Sequence, residues 1–136
     1  MSYAYSAALQ TAIFGALSAD AALSQEVGDA IYDAVPSGTL PDIYVRLGSE
    51  SVRDASDASG AGSAHQVTVS VITTAPGFAS AKRAAGAVSD ALHEADLTLD
   101  AGRLVSLRFE RATARRIDGA SARQIDLRFR ARISDD

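Results

Sequence analysis

The sequence contains no cysteine. That excludes a disulfide framework, a thiol nucleophile and a cysteine metal site, and it suits a reducing compartment. Long apolar runs are missing too: no stretch approaches the roughly 18 residues needed to span a bilayer. The first residues, Met1-Ser2-Tyr3-Ala4-Tyr5-Ser6, lack the basic start and apolar core of a signal peptide. These absences predict a protein made in the cytoplasm with no membrane partner. Lysine is almost absent, since Lys82 is the one lysine among 13 basic residues. Arginine forms planar, bidentate, partly desolvated contacts better than lysine does. A GC-rich genome would produce the same bias, so two readings stand: codon usage and a self-associating surface.

The chain has 136 residues, enough for one domain that buries a core without staples. Its net charge of −4 is unevenly spread. Residues 1–60 hold eight acids against Arg46 and Arg53, whereas residues 101–136 hold nine arginines against five acids. One end is acidic and the other basic, the pattern of complementary patches.

Catalytic strings are missing as well. There is no Gly-x-Ser-x-Gly elbow, no His-Glu-x-x-His pair and no phosphate loop with a following Lys. Gly60-Ala61-Gly62 reads as a flexible loop. The two histidines, His65 and His93, read as ordinary surface residues, His65 in polar sequence ahead of a strand and His93 near a helix end. No catalytic residue, metal or cofactor is expected. Asp54 and Asp57 read as acids of a solvated loop. A basic C-terminal hairpin raises nucleic-acid binding, but its only aromatics, Phe109 and Phe129, fall on the predicted core face, where they cannot stack on bases. A pI near 5.1 points the same way.

What is present is periodicity. Leu9, Ile13 and Leu17 predict a helix over about residues 2–17. Ser18-Ala19-Asp20 and Gly28 bracket a short helix at 21–27. Residues 30–33 predict a short extended piece, and Pro36, Gly38 and Pro41 a loop. Residues 43–48 predict a strand. The Ser, Asp, Ala and Gly of 49–64 predict a mobile loop. Val67, Val69 and Val71 alternate as one face of a strand. Phe78, Ala81, Ala85, Val88 and Leu92 predict the best helix, over 78–95. Residues 97–99 read as a short edge piece.

Two strong strands follow, 103–115 and 123–133, joined by Ile117-Asp118-Gly119-Ala120. Val105, Leu107 and Phe109 should face the core with Ile125, Leu127, Phe129, Ala131 and Ile133. The outward faces should then carry arginines, with Glu110 and Asp126 interspersed. The order of elements predicts an α+β fold, with a largely antiparallel or mixed sheet and two main helices packed on one face. The subunit interface is expected at Arg108, Glu110, Asp126, Arg128, Arg130 and Arg132. The loop expected to meet other proteins carries Arg53, Asp54, Asp57 and His65.

An ordered set of strings resembles one family across nearly the whole chain. It begins with Leu9-Gln10-Thr11-Ala12-Ile13 and Leu17-Ser18-Ala19-Asp20-Ala21-Ala22-Leu23. It continues with Val27-Gly28-Asp29-Ala30-Ile31-Tyr32-Asp33-Ala34-Val35-Pro36, the valine strand and Ala81-Lys82-Arg83. It ends with Gly102-Arg103-Leu104-Val105-Ser106-Leu107-Arg108-Phe109-Glu110 and Leu127-Arg128-Phe129-Arg130-Ala131. This set is similar to the tail-terminator, or tail-completion, family of long-tailed phages and phage-derived gene transfer particles, and its alanine-rich style is most like the latter branch. The resemblance implies a structural, non-enzymatic α+β subunit. Such subunits close into a hexameric ring that caps the tail tube and presents a surface to the head connector. Self, tube protein and connector protein are the implied partners, and DNA passes through the hole without sequence-specific contact. Another head–tail neck protein, such as a head-completion subunit, and a small cytosolic ligand-binding module are the alternatives.

Overall fold

The computed structural model describes residues 3–58, 60–119 and 121–135. Its elements are α1 (Ser6–Ala19), α2 (Ala21–Val27), β1 (Ile31–Tyr32), β2 (Ile43–Asp54), β3 (Gly62–Thr73), α3 (Ala79–Leu92), β4 (Arg103–Ile117) and β5 (Ala122–Ser134). The five strands form one sheet in the order β1-β2-β3-β5-β4. All neighbours are antiparallel except β1 with β2. The expected α+β class and mixed sheet are observed.

The helices cover one face. Leu9, Ile13 and Leu17 of α1 are buried, as their spacing predicts. Asp20 caps α2, its Oδ2 accepting from the Leu23 N–H at 2.9 Å, a cap worth about 1 kcal/mol. Gly28 ends α2 at φ +62, where a side chain would be strained. Ala81, Ala85, Val88 and Leu92 of α3 are buried. Opposite them lie Val69, Val71, Ile125, Leu127, Phe129, Ala131 and Ile133. Small alanines let α3 approach the sheet closely. The expected helix start at Ser2 and the hairpin residue Ala120 fall outside the described residues.

Three expectations are corrected. Residues 49–64 are not a mobile loop: β2 runs on to Asp54, β3 starts at Gly62, and only 55–61 turn. Polar composition misled here because cross-strand pairing satisfies these backbones, Ser51 opposite Gln66 and Arg53 opposite Ala64. Residues 97–99 form no strand; Leu97 and Leu99 pack on the core instead. Val105 does not face the core. Register shifts between Leu104 and Ser106 and between Phe109 and Arg111 mark two bulges in β4. Each extra residue inverts the alternation that follows. Leu104 therefore packs against the core while Val105 is exposed.

Candidate functional site

The face of the sheet away from the helices carries the arginines. Along β5 these outward positions are Gln124, Asp126, Arg128, Arg130 and Arg132, since the alternate residues Ile125 to Ile133 are buried. Pairing sets Arg111 beside Arg128, Thr113 beside Asp126 and Arg108 beside Arg130. On the other flank Arg46 and Ser70 face each other across β2 and β3.

Much of this charge is already partnered within the chain. Arg128 Nε lies 3.1 Å from Glu110 Oε1, and Arg115 Nη2 lies 3.2 Å from Asp126 Oδ2. Arg108 reaches Glu94 at 3.5 Å, and Arg132 reaches Asp57 at 3.6 Å. Asp126 is the electrostatic centre. Partial burial works to raise its pKa, but hydrogen bonds from Gln124, Ser70 and Arg115 outweigh burial and hold the carboxyl below its ordinary range. Ser70 Oγ donates to Oδ1 at 2.6 Å. Of the expected interface residues, Arg128 and Glu110 thus pair with each other, while Asp126 pairs with Arg115 and Arg132 with Asp57. Arg130 remains exposed between them.

The turn after β2 forms a second feature. Asp54 Oδ1 accepts from Ser56 Oγ at 2.8 Å, and Asp57 bridges to Gly60. Arg132 Nη2 donates to the Ala55 carbonyl at 3.0 Å, anchoring the turn to β5. An open cleft of about 440 Å³ lies between the turn and the ends of β4 and β5. Arg53, Asp54 and Asp57 are exposed here, but His65 is not with them.

His65 is fully enclosed on the helix side of β3, contrary to its reading as a surface residue. Its Nε2 lies 2.9 Å from Ser63 Oγ and its Nδ1 lies 3.2 Å from Glu50 Oε2. Ser6 Oγ of α1 donates to the other carboxylate oxygen at 2.6 Å. A bulge puts Glu50 there: the register between Leu47 and Glu50 slips by one residue, so both face inward. Gly48 permits it, since a Cβ would come within 3.1 Å of the Thr68 carbonyl. Glycine inside a strand pattern was the available signal.

Serine, histidine and acid here have the spacing of a hydrolytic triad. The setting excludes that chemistry. Ser63 and His65 are both 0% exposed, so no carbonyl can come within about 3 Å of the serine oxygen. The network satisfies buried polar groups and ties the start of α1 to the sheet. Among the described residues no three metal-ligating side chains are grouped.

The edge of the sheet is the remaining feature. Glu94 N–H donates to the Leu107 carbonyl at 2.7 Å, and Phe109 N–H donates to His93 Nδ1 at 2.9 Å. His93 therefore covers one stretch of the β4 edge. From Glu110 to Ile117 no described strand lies outside β4.

Residues 11–134 match the model of the family described as tail completion protein gp17. A chain in a solved structure of the virion of a native gene transfer agent particle is 59% identical, with a TM-score of 0.93. That alignment covers 98% of this chain and 99% of the other. No curated protein matches.

Proposed function

The chain belongs to the tail completion protein gp17 family, and from that premise we propose that it closes the end of a tail tube as a ring and joins it to the head connector. It is a structural protein of a phage-like tail, similar over nearly its full length to a component of a gene transfer agent virion. The observation that carries the finer reading is this family membership, joined to a fold with two unlike charged ends. A ring needs one patch to meet a different patch on the next copy. The acidic N-terminal half and the arginine-bearing hairpin offer such a pair.

In this reading the subunit is non-catalytic, and its triad-like residues serve packing. Arg108, Arg130 and the neighbouring ion pairs contribute to contact between copies. The turn with Arg53, Asp54 and Asp57 faces the tube or connector. DNA passes through the hole without sequence-specific contact, and assembly places the ring at the head–tail junction.

Native mass measurement and negative-stain imaging test the ring: six copies around a central hole are expected. Imaging of particles carrying a label on this chain tests the place. A label found along the tube or on the capsid overturns the terminator role, and a label on the capsid side of the neck favours a head-completion role.

A further inference from the structure

A groove of about 280 Å³ runs between α3 and the overhanging half of β4. Phe109, Ala112, Ile125 and Leu127 form its floor, and Ala85 and Gly86 its wall. The surface is apolar yet open: Phe109 is 37% exposed, and Ala112 and Ala114 are exposed beside it. These three belong to the helix-facing side of the sheet, where the rest of the strand pair is buried, and the groove adjoins the stretch of β4 that no described strand flanks.

Gly86 gives an independent sign of what the groove is for. It sits within α3, where glycine costs about 1 kcal/mol relative to alanine. A Cβ at Gly86 would meet nothing within 4 Å. Packing within the chain therefore gives no reason for glycine, whereas the close approach of another backbone does.

Charge identifies the occupant. On the groove's own side of the sheet Arg116 continues the alternation of Ala112 and Ala114 along β4, and Lys82 of α3 lines the groove, whereas Arg111 and Arg115 point to the other face. At the opposite end of the sheet, residues 29–42 carry Asp29, Asp33 and Asp42 with no basic residue. Val35 stands beside Asp33 and is 37% exposed. The two edges are four strand spacings apart, roughly 19 Å, so they cannot meet within one copy.

We infer that the groove between α3 and β4 receives the β1 edge of a second copy, with the neighbour's Val35 covering the apolar floor and its Asp33 meeting Arg116 and Lys82. The inference rests on the ring reading and locates its contact. Two different edges of one sheet make a head-to-tail interface, which propagates until the ring closes. Complementary charge sets register and excludes edge-to-edge pairing of two basic β4 strands.

The chain's lack of cysteine allows a direct test. The double variant Val35→Cys, Ala114→Cys, oxidised within assembled particles, should give a ladder of covalent multimers of this chain on non-reducing gels. Either single variant should give none. Particles that contain the double variant but yield no ladder overturn the inference while leaving the ring reading intact, as does cross-linking of position 114 to a different tail protein. Particles in which this chain forms no ring at all overturn the ring reading itself. Gly86→Glu supplies a second arm. It should cut incorporation into particles by at least about tenfold, because a long side chain would stand where the neighbour's backbone must approach, while the purified protein keeps its thermal transition. Undiminished incorporation of Gly86→Glu overturns the inference.

Discussion

Glu50 and His65 stand fifteen residues apart on neighbouring strands and meet inside the fold at 3.2 Å, carboxylate to imidazole Nδ1. Directly across the strands His65 faces Val52, not Glu50. The pair is diagonal, and it exists because the bulge after Leu47 turns Glu50 inward. Removing the carboxylate leaves an enclosed imidazole nitrogen and the Ser6 hydroxyl without partners. Glu50→Ala should destabilise the chain by roughly 2–4 kcal/mol. Glu50→Gln, which keeps an oxygen acceptor, should lose less than half of that. Urea midpoints with an unchanged slope would check both values.

The enclosure of Ser63 makes a chemical prediction. Fluorophosphonate probes label serines that a histidine activates and a substrate can reach. Native protein should remain unlabelled at Ser63, as should Ser63→Ala. Labelling that disappears in the alanine variant would show a reachable nucleophile and sink the packing role.

Asp126 predicts a pH dependence. Its folded pKa lies below the ordinary value, about 3.9 in an unfolded chain. Stability from this depression is complete above the unfolded pKa and is lost as pH falls through the folded one. Wild type should therefore exceed Asp126→Asn in thermal stability from about pH 5 to 7. The gap should close in strong acid, below both pKa values. A gap that persists there would assign the effect to shape and not to charge.

Two glycines should respond in opposite directions to alanine. Gly102 has φ +78, and a Cβ there would come within 2.9 Å of the Tyr5 ring and 3.0 Å of Ile133 Cγ2. Gly102→Ala should destabilise by more than about 1 kcal/mol. Gly86→Ala, in open space on a helix, should stabilise the purified subunit by up to about 1 kcal/mol. Differential scanning calorimetry of the two variants checks the contrast.

The arginine face makes an assembly prediction. Arg128→Glu combined with Arg130→Glu breaks the pair with Glu110, which is half-exposed and worth no more than about 1 kcal/mol. The monomer should stay folded while ring formation is lost. An oligomer mass equal to that of wild type would remove these residues from the interface.

Helices were legible because their burial follows a local period. Leu9, Ile13 and Leu17 repeat every four residues, and the structure buries all three. Asp20 and Gly28 likewise announce the ends of α2 through capping chemistry that depends only on neighbours in sequence. The β5 alternation from Ile125 to Ile133 was equally clear, because an uninterrupted strand keeps a period of two.

Bulges are harder to read locally: Gly48 marks the one in β2, but no glycine marks the two in β4. One extra residue in β2 and two in β4 decide whether Glu50 points inward and Val105 outward, and the partner strand sets each slip. The polar stretch 49–64 looked unfit for strands because its stability comes from pairing with residues distant in sequence.

The absence of cysteine, the acidic and basic ends and the arginine-laden hairpin were determined by the sequence alone, since composition needs no fold. Only the tertiary structure decided which arginines are spent on Glu110 and Asp126, that His65 is sealed within the core, and that an apolar groove stays open beside β4. Each of these depends on residues far apart in the chain meeting in space, and strand register, which no local pattern encodes, governs those meetings.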